Sequence, residues 1–363
     1  MIWSGGGDTL PDSDMKKITA ILLACTALLA SCHHGRIAVD APGDAILFSA
    51  GGSGLQVEAK SGSTLLEPGT FLDGDGFLVY GTWSLDEGGS AEIFREQEVT
   101  ATGGYDSSIG GYECEYSPVK YWSKTGSYDF RAVFPSSAAR VLSASSGKTI
   151  VAGYSMHMED YDLMVAYASR SMNDADATDP VPLIFRHATA AVRFMFCKGE
   201  GVSINYFLNS ISVGYIKTVG TFIWGAEDNS PLDDYWFTAD YRPDSVLEWE
   251  AAAAEDRIPI YQKYSEYTGY QWHYVIPQSL ADSDSYNPCV TFSVTIDDGA
   301  PVYTTIDLPT TYTDEGGIVR DAEWEAGKLY TYKIQIQPGD AQVVVEVTPW
   351  DKYKVAIDNM IFN

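Results

Sequence analysis

The stretch KLYTYKIQIQPGDAQVVVEVTPW, residues 328–350, decides the fold class of this chain. Apolar and polar residues alternate along both of its halves, and Pro-Gly-Asp at 338–340 separates them. The alternating apolar positions are Tyr330, Tyr332, Ile334 and Ile336 in the first half, and Val343, Val345 and Val347 in the second. Alternation with a period of two is typical of a half-buried strand, and turn residues between two such runs predict a β-hairpin.

The same pattern recurs upstream. Residues 290–308 predict a second hairpin, in which Val290, Phe292, Val294 and Ile296 share one face and Asp297-Asp298-Gly299 turns the chain. Further strands are predicted at Phe77–Trp83, Tyr128–Phe134, Leu183–Phe196 and Asn209–Tyr215. Turn residues separate these runs at intervals suited to an all-β fold of the sandwich type.

One helical insert is predicted among the strands. In SVLEWEAAAAED, residues 245–256, Ser245 and Glu248 have the spacing of a capping box, and the alanines have high helix propensity. A turn of helix is also expected in DAEWEAG, residues 321–327. The acidic, proline-containing stretch 173–182 predicts a boundary between two domains, 37–180 and 181–363.

The N-terminal segment has the layout of a bacterial export signal. In KKITAILLACTALLASCHHG, residues 16–35, two lysines precede an apolar stretch that is short for a membrane span. Signals normally begin near the initiating methionine, so Met15 is the expected start. Residues 1–31 are therefore interpreted as an upstream extension followed by a signal peptide.

The end of this signal resembles a lipobox, Leu29-Ala30-Ser31-Cys32, in which the cysteine thiol receives a lipid. Cys25 is the competing position, but cleavage there would leave a short apolar region and an apolar segment on the mature chain. Lipidation is therefore predicted at Cys32, with a tether over residues 32–36 and an exposed location outside the cytoplasm.

Composition narrows the function classes. The 363 residues carry a net charge of −27, so the surface repels nucleic acid and anionic lipid. Cys114, Cys197 and Cys289 have irregular spacing that fits neither a disulfide scaffold nor a zinc site, although Cys197 and Cys289 both flank strands and could pair.

No catalytic or cofactor motif stands out in the sequence. His187 ends an alternating run and is expected to point inward and form a hydrogen bond there. DGDG, residues 73–76, lacks the remaining ligands of a calcium loop and is interpreted as a turn. No metal, cofactor or enzymatic activity is therefore expected.

Several segments, taken in order, resemble the fimbrillin family of anaerobic Gram-negative bacteria. They are GDGFLVYGTW (74–83), YWSKTGSYDFRAVFP (121–135), DYDLMVAYAS (160–169), PLIFRHATAAVRFMF (182–196), YVIPQSL (274–280), AEWEAGKLYTYKIQI (322–336) and VTPW (347–350). The resemblance implies a type V pilus subunit with two transthyretin-like β-sandwich domains, exported as a lipoprotein to the outer-membrane surface. It also implies assembly with other pilus subunits by strand exchange, after a protease removes the tether and the first strand.

The candidate exchangeable strands are GRIAVDA and AILFSAG, because groove-filling residues should alternate. Their apolar positions are Ile37 and Val39, then Ile46 and Phe48. Arg36 and Lys60 are the candidate processing sites. The next arginine after Arg36 is Arg95, so the chain departs from shaft subunits that are cut by an arginine-specific protease. This departure argues against a shaft role with that processing and in favour of a tip or accessory role, or of processing at Lys60 or elsewhere.

A second hypothesis explains the same general features of the sequence. A surface glycan-binding lipoprotein beside a nutrient importer would also be acidic, β-rich and rich in tyrosine and tryptophan. Such a protein should present an open platform of aromatic side chains, whereas a pilus subunit should have an exchangeable edge strand. A pilus subunit could in addition bind a host or bacterial surface ligand.

Overall fold

The computed structural model describes residues 44–52, 74, 76–106, 108–109, 111–137, 149–156, 161–225, 230–238, 246–263, 272–281, 287–313, 318–337 and 340–349. The strands of the N-terminal half are β1 (Phe48–Gly52), β2 (Gly76–Ser84), β3 (Ser90–Asp106), β4 (Gly111–Glu115), β5 (Ser127–Phe134), β6 (Ile150–Ser155), β7 (Met164–Ser171) and β8 (Val181–His187). Seven of these form one sheet in the order β1-β4-β3-β2-β5-β7-β8. This sheet closes on itself because β1 pairs with both β4 and β8.

Alternating apolar side chains fill the inside of this closed sheet. The buried set includes Phe77 and Val79 of β2, Phe94 of β3, Phe130 of β5, and Leu183 and Phe185 of β8. Phe77 and Phe185 meet edge to face, with their ring centroids 5.1 Å apart. Aromatic pairs of this kind add about 0.5–1.5 kcal/mol beyond the area they bury, so this contact helps to hold β2 and β8 together across the inside of the closed sheet.

The remaining strands follow in the C-terminal half. They are β9 (Ala190–Lys198), β10 (Tyr206–Gly214), β11 (Val219–Trp224), β12 (Trp236–Thr238), β13 (Val246–Glu250), β14 (Ile258–Ile260), β15 (His273–Val275), β16 (Gln278–Ser279), β17 (Cys289–Ile296), β18 (Pro301–Asp307), β19 (Thr311–Thr313), β20 (Val319–Asp321), β21 (Glu323–Trp324), β22 (Lys328–Gln337) and β23 (Asp340–Pro349). Two 3₁₀ helices, Asp233–Tyr235 and Ala254–Asp256, are the helices of the described residues, and neither is long enough to span a membrane.

Two larger sheets of this half share one hydrophobic core. One has the order β13-β10-β17-β18, with β14 also paired to β10, and the other has the order β15-β9-β22-β23. Phe196 of β9 and Phe292 of β17 meet edge to face at 5.1 Å, and both are buried. The buried residues of the two sheets belong to one cluster, so the sheets stabilise each other face to face.

A three-stranded sheet, β12-β11-β6, packs against the outer face of the closed sheet. Tyr80, Val133 and Val165 on that face form a cluster with Phe222 and Trp224. Parts of β2, β5 and β7 are therefore buried on both faces, and the clean alternation of buried and exposed residues is lost there.

Both hairpins predicted from the sequence are confirmed. Strands β22 and β23 pair antiparallel from Lys328 opposite Pro349 to Gln337 opposite Asp340, and β17 pairs antiparallel with β18. Tyr330, Tyr332, Ile334 and Ile336 are all buried. On β17 the expected face is buried at Val290, Phe292 and Val294, whereas Ile296 at the strand end is partly exposed.

The predicted helix over residues 245–256 is wrong over most of its length. Val246–Glu250 forms β13 and pairs with β10, and Ala254–Asp256 forms a single 3₁₀ turn. Pairing with the exposed edge of β10 overrides local helix propensity here, and Val246 and Trp249 are residue types that strands favour. The predicted helical turn in 321–327 is also wrong, because Glu323–Trp324 pairs as β21 with β16.

The run Leu183–Phe196, predicted as one strand, divides into β8 and β9. Strand β8 belongs to the closed sheet and β9 to a C-terminal sheet, so the chain passes from one sheet to the other at 188–189. Residues Asp44–Asn363 form one compact unit. The division into domains at 180/181 stays a prediction.

Candidate functional site

Strand β1 occupies the space between β4 and β8, which we call the β1 slot. It runs parallel to β8, from Phe48 opposite Val181 to Gly52 opposite Phe185, and antiparallel to β4, with Ser49 opposite Glu113. The sheet can close only through a strand in this position, because no described residues outside β1 join β4 to β8.

Backbone hydrogen bonds extend this pairing to the residues before β1. The amide of Ile46 donates to the carbonyl oxygen of Lys120 at 2.9 Å, and the amide of Trp122 donates to Asp44 at 3.0 Å. On the other side, the amide of Val181 donates to Leu47 at 2.8 Å. The segment from Asp44 onward is therefore held on both of its edges.

The side chains of the strand alternate as the sequence predicted. Ile46, Phe48 and Ala50 point into the core and are at most 2% exposed, whereas Leu47 is 46% exposed. Ser49 is an exception to strict alternation, since it is buried on the other face. Burial of Ile46 and Phe48 is what an exchangeable strand requires; the exchange itself stays a prediction.

Phe48 lies in a pocket of three aromatic rings. Its ring centroid lies 5.4 Å from Phe94, 5.4 Å from Phe130 and 5.7 Å from Tyr116. Full burial of a phenylalanine side chain contributes about 1.5–3 kcal/mol from the hydrophobic effect alone. Phe48 is therefore the residue that we expect to contribute most to the binding of β1.

Tyr116 also contacts the backbone of the strand. Its hydroxyl donates to the carbonyl oxygen of Ile46 at 2.6 Å and accepts from the amide of Lys120 at 3.2 Å. Burial raises the pKa of the Tyr116 hydroxyl above its usual value, so the group stays a neutral donor at physiological pH. Its ring thus contacts the side chain of Phe48 in β1, and its hydroxyl binds the backbone just before the strand.

On the β4 side of the slot, two small residues of β4 allow the backbone of β1 to approach closely. The backbone of Ala50 lies where a side chain on Gly111 would otherwise be. Cys114 lies nearby on the same strand, buried against β1, and burial raises the pKa of its thiol to about 12. The thiol is therefore protonated and unreactive while β1 is in place.

The other residues that the sequence analysis singled out fall into two groups. Cys32, Arg36, Ile37, Val39 and Lys60 lie outside the described residues. His187 points inward and forms a hydrogen bond, as predicted, and its partner is Asp162. Cys197 and Cys289 are buried, and no disulfide joins them.

Sequence reasoning did not identify the residues that form the slot. Gly111, Tyr116 and β8 become relevant only when pairing is known, and parallel pairing between distant segments leaves no local signal. The glycine pair at 110–111 within a strand-like stretch is the one available hint, because glycine in a strand often marks close backbone approach.

Among the described residues, no cluster of His, Cys, Asp or Glu could hold a metal ion. Across the described part of the chain, large exposed aromatic side chains occur at Tyr121, near β1, at Phe237 on β12, at Tyr261 just after β14 and at Tyr303 on β18. Tyr261 and Tyr303 lie beside opposite edges of one sheet, at β14 and β18, and Phe237 belongs to another sheet, so these side chains are dispersed and do not form the single platform that the glycan-binding hypothesis predicts.

Comparison with known proteins gives one family and several related folds. The profile of a family described as fimbrillin-like matches residues 64–350. A cell adhesion protein of Bacteroides ovatus has a similar fold, with a TM-score of 0.51 and 15% identity over 86% of this chain and 99% of the other. The tip fimbrial protein Mfa3 of Porphyromonas gingivalis, truncated at its C-terminus, aligns with a TM-score of 0.43 and 13% identity over 85% and 98%. No curated protein matches the chain.

Proposed function

The chain belongs to the fimbrillin-like family, and from this membership we propose that it is a structural or adhesive subunit of a type V-like pilus. The position could be shaft, tip or accessory. The observation that carries the proposal is the position of β1, which completes a closed sheet through residues near the N-terminal end of the described chain. We expect no catalytic activity from such a subunit.

Assembly by strand exchange follows from the energetics of the slot. Loss of β1 would expose Phe94, Tyr116 and Phe130 to water and would leave the facing edges of β4 and β8 unpaired. Unpaired backbone groups and an open apolar groove are both costly, and a strand from another subunit removes both costs. The slot is therefore suited to bind a donor strand from a second pilus subunit.

The geometry also specifies the donor. Its side chains must alternate, with a large apolar residue in the Phe48 pocket, and its backbone two positions later must pass as close to Gly111 as the backbone of Ala50 does. A donor with a charged residue at the Phe48 position should be rejected, since the pocket offers no partner for that charge.

For export, we propose lipidation at Cys32 and a tether over residues 32–36 that holds the protein on the outer-membrane surface. Processing at Arg36 or Lys60 would release the tether, and only a cut after β1 would release the strand. We also propose that residues 37–180 and 181–363 correspond to two transthyretin-like domains.

The test compares a soluble mature form with a form that lacks residues 33–60. The shortened form should form oligomers or melt at a lower temperature than the mature form. A peptide of residues 43–52 should reverse whichever of these changes occurs. The matched control is the same peptide with Phe48→Asp, which should not bind. If the deletion changes neither association nor melting, the segment is only a tether and strand exchange is ruled out.

A second measurement concerns the pilus itself. Surface filaments isolated from the native bacterium should contain this chain, and the first residue of the chain within them identifies the processing site. If the chain is found only on membranes and never in filaments, the proposal of a pilus subunit is wrong.

We do not propose the glycan-binding alternative, because the exposed aromatic side chains of the described residues are dispersed over separate sheets and opposite sheet edges. Binding of the soluble mature form to a glycan array would reverse this choice.

A further inference from the structure

A buried polar network lies where the chain leaves the closed sheet. His187, the last residue of β8, places its Nδ1 atom 2.6 Å from Oδ2 of Asp162, a distance at which the ring N–H donates to the carboxylate. The hydroxyl of Thr189 donates to the other oxygen, Oδ1, of Asp162 at 2.8 Å. All three side chains are buried, so each bond is shielded from water.

Hydrogen bonds to the backbone hold the same part of the chain, residues 187–189. The amide of Ala188 donates to Leu163 at 2.7 Å, and the indole N–H of Trp236 donates to the carbonyl oxygen of Ala188 at 2.7 Å. The amide of Gly327 donates to the backbone carbonyl oxygen of Thr189 at 2.9 Å. Residues 187–189 are thus held by the segment before β7, by β12 and by the turn before β22.

The rest of β8 depends strongly on β1. Residues 181–185 pair with β1, whereas Arg186 and His187 pair with β7. When β1 leaves, residues 181–185 lose their ladder on that side. The position of β8 is then determined by its C-terminal end and by the apolar side chains it buries.

Building on the pilus-subunit function above, we propose that Asp162, His187 and Thr189 form an anchor that keeps β8 in place when β1 is absent. They are positioning residues of the slot, because their mutual hydrogen bonds lie at the end of β8 beyond residues 181–185, which pair with β1. The β8 anchor keeps one edge of the slot ready for an incoming strand, so that the donor does not have to organise it.

The first experiment uses the intact soluble mature chain. Hydrogen exchange of the β8 amides is compared between the wild type, Thr189→Val and Thr295→Val. Thr189→Val removes one bond to Asp162 with little change in volume. Thr295→Val is the matched control, since its buried hydroxyl donates to Asn209 at 3.0 Å in a C-terminal sheet. Exchange of residues 181–187 should accelerate about tenfold in Thr189→Val and should not change in the control.

The second experiment measures exchange of the strand. A specific protease site is inserted between Lys60 and Ser61, the folded chain is cut, and a labelled peptide of residues 43–52 is added. Thr189→Val should bind the peptide about tenfold more weakly than the wild type, while Thr295→Val should bind normally even if its melting temperature falls equally. His187→Asn retains an N–H donor and should bind the peptide more tightly than His187→Leu does.

The outcomes of these experiments distinguish a failure of the β8 anchor from a failure of strand exchange. If Thr189→Val and Thr295→Val have equal effects on β8 exchange and on peptide affinity, the anchor is an ordinary stabilising network and the inference is wrong. If the cut wild-type chain takes up no peptide, strand exchange is contradicted, and hydrogen exchange in the uncut chain still decides the role of the anchor.

Discussion

The carbonyl carbon of Ala50 in β1 lies 2.8 Å from the point that a Cβ atom on Gly111 of β4 would occupy. Real Cβ atoms essentially never approach other atoms so closely, and the neighbour here is backbone rather than a flexible side chain. Glycine at 111 is therefore a condition for β1 to lie in the slot.

Gly111→Ala should displace β1 and lower the free energy of unfolding by about 1–3 kcal/mol, the usual cost of overpacking. Urea denaturation measures this loss. The control is Gly153→Ala in β6, where a Cβ atom would meet open space and stability should hardly change. Equal losses in the two variants would show that the close approach does not restrict the slot.

Phe48→Ala should lower the free energy of unfolding by about 3–5 kcal/mol, because it empties the pocket formed by Phe94, Tyr116 and Phe130. Leu47→Ala, on the exposed face of the same segment, should cost less than about 1 kcal/mol. Urea midpoints of the two variants give the comparison. A small effect of Phe48→Ala would mean that the segment contributes little to the fold.

Cys114 should report the departure of β1. Its thiol is buried against the strand, so in a soluble form with Cys197→Ser and Cys289→Ser it should react with an aromatic disulfide reagent only when β1 opens. Phe48→Ala should accelerate the reaction, and added peptide of residues 43–52 should slow it. If Cys114 reacts fast in the form that keeps Phe48, and added peptide does not slow the reaction, the thiol is not shielded by β1.

The stability of the protein should depend on pH through Asp233. Burial raises the pKa of this carboxyl above 3.8, and Glu325 nearby adds to the shift. The folded state therefore binds a proton more tightly than the unfolded state, so this contribution stabilises the fold below pH 3.8 and is lost as pH rises through the raised pKa.

Asp233→Asn keeps an oxygen that can accept from the amide of Ala326, which now donates to Oδ1 at 2.6 Å. The variant should be more stable than the wild type at pH 7, and the difference should shrink as pH falls toward 4. Urea midpoints across this range test the sign. Asp234→Asn, at the exposed neighbouring position, is the control and should follow the wild type.

Cys32→Ala should abolish lipid attachment. In a Gram-negative host, the wild type should partition into detergent extracts of the membrane and carry a diacyl mass on its first residue, whereas the variant should not. Cys25→Ala is the control and should be processed normally. Unchanged membrane partitioning of Cys32→Ala would contradict lipidation at this position.

The sequence correctly predicted those strands whose own alternation, together with an adjacent turn, is enough to specify them. The hairpins of β22 with β23 and of β17 with β18 have alternating apolar residues and a turn between, and neighbours along the chain pair without help from elsewhere. Ile46 and Phe48 were also identified as inward residues from alternation alone.

Three sequence predictions were wrong because distant segments determined the outcome, as they did for Glu323–Trp324, which pairs with β16. Val246–Glu250 became a strand because the edge of β10 was available to it, although the following alanines favour a helix. The run from Leu183 to Phe196 became two strands because it passes between two sheets at Ala188, where Trp236 and Leu163 bond to its backbone.

By itself, then, the sequence determined that the chain is mainly β, that Ile46 and Phe48 and the alternating residues of β22 face inward, and which segments resemble the fimbrillin family. Only the tertiary structure decided that β1 lies parallel to β8 and against Gly111, and that His187 bonds to Asp162. The physical reason is that side-chain alternation is a local property of a strand, whereas the choice of pairing partner depends on backbone groups and packing surfaces supplied by distant parts of the chain.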